Sequence, residues 1–127
     1  RDPDAHRVTT FTLYAVDADA RRARAAVRDA VALFLSAERD SALVRVPGLA
    51  DAVHELVGAG DPESLAARIP DRWLDEFAVA GDPAHCARRL RELLDAGSDA
   101  VGLWLFPTDR AEQVAELTAR EVLPALR

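Results

Sequence analysis

Residues 75–106 read DEFAVAGDPAHCARRLRELLDAGSDAVGLWLF, and this stretch decides the fold. Gly81-Asp82-Pro83 is a helix start. Asp82 stands as N-cap and Pro83 as the first helical residue, where its missing N–H costs nothing. Cys86, Ala87, Leu90, Leu93 and Leu94 then recur at helical spacing as an apolar stripe, with Arg89 and Glu92 on the solvent side. Gly97 supplies the left-handed cap that stops the helix. Val101 to Phe106 is apolar on both faces, which predicts a buried parallel strand. A helix that feeds such a strand is the second half of a crossover.

The flanking segments fit the same scheme. Val8 to Val16 alternates, with Phe11, Leu13 and Ala15 on one face and Thr10, Thr12, Tyr14 and Val16 on the other. That pattern predicts a strand with helices behind it and a mixed lumen in front. Asp17 and Asp19 offer N-caps for a helix over Ala20 to Ala37. Its apolar side is Ala23, Val27, Ala30, Val31 and Phe34, and Arg21, Arg24 and Arg28 line the opposite face. Residues 39–80 read as a helical insertion. Pro47-Gly48 is a turn, Asp51 to Gly58 a short helix, and Gly60-Asp61-Pro62 starts another that stops before Pro70. A last helical turn, Asp71 to Glu76, leads into the short apolar run Phe77 to Ala80. Asp109 is expected to cap the final helix, on which Ala111, Val114, Ala115, Thr118 and Val122 share a face, and Pro124 to end it.

The expected class is α/β, with two parallel strands joined through crossover and insertion helices. Two parallel strands cannot bury both faces of a sheet by themselves. The chain also contains no methionine. Residues 1–127 therefore read as a single partial domain, a segment of something longer.

Composition excludes several partners. The net charge is −6, and all sixteen basic residues are arginines scattered along the chain, which argues against nucleic acid. No stretch approaches the ~20 apolar residues of a membrane helix. Cys86 is the single cysteine, so no internal disulfide can form and a cytoplasmic setting is expected. His85 and Cys86 are adjacent on a helix and diverge by about 100°, so they cannot chelate one metal. His6 and His54 have no partner at ligand spacing, and no metal is expected. Cys86 is read as a small buried hydrophobe and His85 as solvent-facing.

Taken in order, these pieces resemble the C-terminal portion of the luciferase-like flavin- or deazaflavin-dependent oxidoreductases, of the bacterial luciferase and methylenetetrahydromethanopterin reductase kind. RDPDAHRVTTFTLYAVDAD, at 1–19, is similar to the segment entering the seventh strand of their (β/α)8 TIM barrel. Residues 75–106 are similar to the family's apolar run, Gly-(Thr/Asp)-Pro helix start, Ala-Gly-x-Asp turn and eighth strand. EVLPALR, at 121–127, resembles the usual last helix. The likeness is weakest across 39–70.

The resemblance implies hydride transfer, or monooxygenase chemistry, at the barrel mouth on a small-molecule substrate. Coenzyme F420 or reduced FMN would be the cofactor, and a homo-oligomer or association with the rest of the barrel the assembly. It carries no catalytic residue over to this chain. Tyr14 and Trp104, near the ends of their strands, are the candidates for cofactor contact, with Phe106 beside Trp104. Core packing is the competing reading for each. Arg68 and Arg72, which flank Pro70, are candidates for an anionic substrate group, with solvated surface charge as the competing reading. Two other functions stand beside the oxidoreductase: a non-catalytic remnant acting as an interaction or assembly module through its strand edges, and a different enzyme class sharing only the fold.

Overall fold

A computed structural model describes residues 5–60 and 64–127. Strand β1 (Thr9–Val16) leads into α1 (Ala20–Glu38). Four short helices follow: α2 (Ala42–Arg45), α3 (Ala50–Gly58), α4 (Leu65–Arg68) and α5 (Asp71–Phe77). Then come β2 (Ala78–Gly81), α6 (Pro83–Asp95), β3 (Ala100–Leu105) and α7 (Ala111–Leu117), the last extended by irregular helical turns to Leu126. The start expected at Gly60-Asp61-Pro62 lies partly outside the described residues.

The sheet has three parallel strands in the order β2-β1-β3. This corrects the expected count of two and places a strand within the stretch read as helical insertion. The run around Val79 was too short to show a period. All four residues of β2 are buried, so there is no alternation to read. A closed (β/α)8 barrel sets successive strands side by side. Here β3 pairs instead with the second edge of β1, and the sheet is open.

Strand alternation separates the core into two layers. Leu13 and Ala15 of β1 and their register partners Ala78 and Ala80 face Ala23, Val27, Val31 and Leu35 of α1, together with Trp73 and Leu74 of α5. Tyr14, Val16 and Val79 point the other way, toward Cys86, Ala87 and Leu90 of α6 and Val114 and Val122 in and beyond α7. Val101, Leu103 and Leu105 of β3 join this second layer. The Thr/Tyr face of β1 therefore lies under helices and not toward a lumen. β3 is less buried than its composition suggested, and Trp104 is 64% exposed. It is an edge strand, and α1 does not reach over it.

The caps behave as local chemistry dictates. Asp82 Oδ1 accepts the His85 N–H at 2.8 Å with Pro83 behind it, and Asp19 Oδ1 accepts the Arg21 N–H at 3.0 Å. A cap of this kind contributes about 1 kcal/mol. Gly97 takes φ +119° after α6, a region that only glycine enters without strain. Asp109 is not a cap, because a tight turn over Thr108–Arg110 precedes α7.

Arg24 and Arg28 also depart from expectation: Arg21 is exposed, whereas Arg24 and Arg28 are partly buried. Arg24 donates to Asp75 Oδ1 at 3.0 Å and to the Asp71 carbonyl at 2.8 Å. Arg28 donates to the carbonyls of Ala66 (3.0 Å) and Ile69 (2.8 Å) and pairs with Asp71. These two side chains satisfy carbonyls at helix ends in the insertion, and so fasten it to α1.

Candidate functional site

The order β2-β1-β3 creates a topological switch point. From β1 the chain crosses to β2 under α1 on one face, and from β2 it crosses to β3 under α6 on the other. Open α/β sheets bind ligands outside the carboxyl ends of the strands at such a point. A cleft of about 380 Å³ lies there. Ala15, Val16 and Asp17 at the end of β1 form its base. Arg22, Ala23 and Ala26 of α1 form one wall, and Phe106, Pro107, Arg110, Gln113 and Leu117 the other.

The charged groups of the cleft are partly committed. Asp17 Oδ1 accepts the Asp19 N–H at 2.8 Å and lies 3.5 Å from Arg22. Arg22 is also 3.8 Å from Asp19. Arg110 is exposed, and its guanidinium has no ion pair among the described residues.

A second, larger groove of about 830 Å³ opens on the α1 face of the sheet where α1 falls short of β3. Phe11, Leu13, Phe34, Leu43, Phe77 and Trp104 line it, and Phe11 is 80% exposed.

The structure does not bring the four site residues of the sequence reading together. Tyr14 is fully buried in the second layer. Thr118 Oγ1 donates to the Val114 carbonyl at 2.7 Å, so the Tyr14 hydroxyl is the donor in its 2.8 Å bond to Thr118. Burial holds that phenol far above its ordinary pKa. Trp104 stands on the large groove, its ring centroid 5.6 Å from that of Phe106. Arg68 donates to the Leu56 carbonyl at 2.8 Å within the insertion. Arg72 is exposed on α5, away from both openings. Arg22, Arg110 and Gln113 escaped the sequence reading. The available signal was position alone, since both arginines follow shortly after the carboxyl end of a strand.

His85 and Cys86 occupy the other side of the carboxyl edge. His85 is mostly covered, with Nδ1 3.1 Å from Arg88 and Nε2 3.7 Å from Asp75, which corrects its expected solvent-facing position. Burial holds its pKa below the ordinary 6.5. The Asp75 carboxylate opposes this, and Arg88, Arg24 and Arg89 reinforce it. As pH falls through 6.5 the unfolded chain takes up the proton first, so this contribution is present above that pH and is lost below it. His85→Asn should accordingly lose less stability than the parent between about pH 7 and pH 5, measured by urea unfolding. Equal losses would show that His85 is not the group responsible. Cys86 is buried, and burial raises its thiol to about 12, as a packing residue requires. No group of three or more metal-ligating side chains occurs among the described residues. No helix there is long and apolar enough to cross a membrane.

Comparison with known proteins gives one answer. A model of the family described as luciferase-like monooxygenase matches residues 1–100. The 5,10-methylenetetrahydromethanopterin reductase of Methanolobus tindarius is 26% identical over 97% of this chain and 39% of its own length. The reductase of the same name from Methanopyrus kandleri is 28% identical over 98% and 36%. Among solved structures, the coenzyme F420 dependent tetrahydromethanopterin reductase of Methanopyrus kandleri superposes on the whole chain with a TM-score of 0.81 and 26% identity, over 38% of that protein. The chain thus spans less than two fifths of these relatives, and its parallel α/β fold matches that fraction of a TIM-barrel reductase. Because the family model covers most of the sequence, the chain belongs to the luciferase-like monooxygenase family.

Proposed function

We propose that this chain supplies the C-terminal part of an oxidoreductase that transfers hydride between coenzyme F420 and a small-molecule substrate, with FMN as the other cofactor suited to the same chemistry. The observation that carries this reading is the cleft at the carboxyl ends of β1 and β3, in a chain that superposes on a structure named as a coenzyme F420 dependent reductase. A bound deazaflavin or flavin ring supplies the hydride donor or acceptor. The residues present fit part of such a molecule. Phe106 and Pro107 give an apolar wall for a ring, and Arg22, Arg110 and Gln113 give donors for a phosphate-bearing tail.

The side chains divide by role in this reading. Trp104 offers an open aromatic face to a ring, and Arg72 an exposed guanidinium to an anionic substrate group. Tyr14 and Arg68 act by position, Tyr14 fixing the end of β1 against Thr118 and Arg68 tying α4 to α3 within the insertion. The bare face beside Phe11 and Trp104 and the free edge of β3 would be covered by further barrel elements or by another copy of the chain. A cytoplasmic location, and action without nucleic acid or membrane, complete the proposal.

On this account the cleft holds only a fraction of a cofactor site. Titration of coenzyme F420 and of FMN into the purified 127-residue chain, followed by fluorescence, should show no saturation in the micromolar range. A micromolar dissociation constant would mean that these residues suffice for the site.

A further inference from the structure

We infer that His85 is a proton-operated latch between α6 and the insertion helix α5: the neutral ring lies seated on Gly81, and on taking up a proton it leaves the seat and loosens that joint. The latch is independent of what the cleft binds.

The seat follows from the local sequence. β2 ends at Gly81 and α6 starts at Pro83, so His85, in the first turn of the helix, folds back over the strand end. Glycine leaves the room for it, since a Cβ at position 81 would lie 2.6 Å from His85 Cδ2. Asp75 of α5 stands beside the ring, its Oδ1 3.7 Å from Nε2. The imidazole is thus packed where the strand end, α6 and the insertion meet.

Its hydrogen bonds suit the neutral form alone. Arg88 Nη2 can only donate, so Nδ1, 3.1 Å away, is the acceptor and Nε2 carries the hydrogen. That N–H is buried and has no hydrogen-bond partner among the described residues, because Asp75 Oδ1 lies beyond hydrogen-bond range. A second proton would go to Nδ1, which would then aim a donor at a guanidinium.

The surrounding charges do not compensate. Arg24 of α1 and Arg88 and Arg89 of α6 are the cations near the ring, and Asp75 is the carboxylate beside it. Arg24 already holds that carboxylate at 3.0 and 3.4 Å, and Arg89 holds the Asp75 carbonyl at 2.7 Å. Asp82 is committed to the His85 N–H as the helix cap. Burial opposes the added charge as well. Water imposes none of these penalties, and part of the ring already meets solvent. Outward rotation of the side chain therefore accompanies protonation. A ring that titrates lower in its seat than when free weakens the seated state as pH falls through 6.5.

The test follows the His85 ring and the backbone amides by NMR as pH is lowered from about 7.5 to about 5, with His85→Gln assigning the ring signal. The ring should titrate below 6.5, and the amides of Asp75, Gly81 and Arg88 should move at the same midpoint. Amide-exchange protection over Asp71–Phe77, corrected for the intrinsic pH dependence of exchange, should fall about tenfold for each unit by which that midpoint lies below 6.5. In His85→Gln the corrected protection should not change with pH. Gly81→Ala should hold the ring off its seat at every pH, so that it titrates close to 6.5 and the protection is already low at neutral pH. A ring in the folded parent that titrates at or above 6.5, or protection over Asp71–Phe77 that ignores its titration, would overturn the latch. So would a Gly81→Ala ring that keeps the parent's midpoint. Should Gly81→Ala fail to fold, the two measurements on the parent decide.

Discussion

Leu90→Ala is expected to destabilise the chain by about 2–5 kcal/mol, the range for truncating a buried leucine. Leu90 is 3% exposed and packs among Tyr14, Val16, Val79, Cys86 and Val114 in the layer between the sheet and α6 with α7. Its neighbours belong to β1, β2, α6 and α7. Arg89 is the contrast. The helical stripe put it on the solvent side, yet it donates to the Asp75 carbonyl at 2.7 Å and pairs with Glu92, so it ties α6 to α5. Arg89→Ala should therefore cost about 1 kcal/mol, more than a surface change and less than Leu90→Ala. Urea denaturation of both variants measures the ordering. Equal losses would mean that α6 presents a different face to the sheet.

The second large effect lies in the insertion. Trp73→Ala should cost about 3–5 kcal/mol, a substantial part of the ~5–15 kcal/mol available to a domain. Trp73 is 3% exposed and belongs with Val31, Leu35, Leu65, Ile69 and Leu74 to the layer on the α1 face. Its indole N–H is buried without a hydrogen-bond partner among the described residues. Trp73→Phe forfeits volume but no bond, and should fall well below Trp73→Ala. If Trp73→Ala stays within about 1 kcal/mol of the parent, the insertion is an appendage and does not belong to the core.

The elements visible in the sequence are those whose cause is local. Strand β1 shows as alternation, α1 as a stripe behind Asp19, and α6 as the Asp82-Pro83 start with its Gly97 stop. β2 did not show, because four residues buried on both faces carry no period. The partners of Arg24 and Arg28 lie 38 to 51 residues away on α4 and α5 or in the turn between them, a separation no helical pattern encodes. β3 misled in the opposite way. An apolar run reads as buried, but an edge strand with no helix above one face leaves Trp104 open.

The candidate site was illegible for the same physical reason. Its walls come from residues near 16–26 and 106–117, and only the placing of β3 beside β1 joins them. Tyr14 was assigned to the correct face of its strand, and its hydroxyl is satisfied as a packing role requires. What covers that face, α6 with α7, follows from the sheet order and not from the strand's own sequence.

The proposed function makes this chain a working part of an F420-dependent oxidoreductase. The most direct measurement replaces the matching 38% of the Methanopyrus kandleri reductase with residues 1–127 and titrates coenzyme F420 into the folded chimera. The chimera should be one monodisperse species that binds the coenzyme within about tenfold of the parent reductase, a difference of ~1.4 kcal/mol. A chimera that folds cooperatively yet has lost coenzyme F420 binding would contradict it.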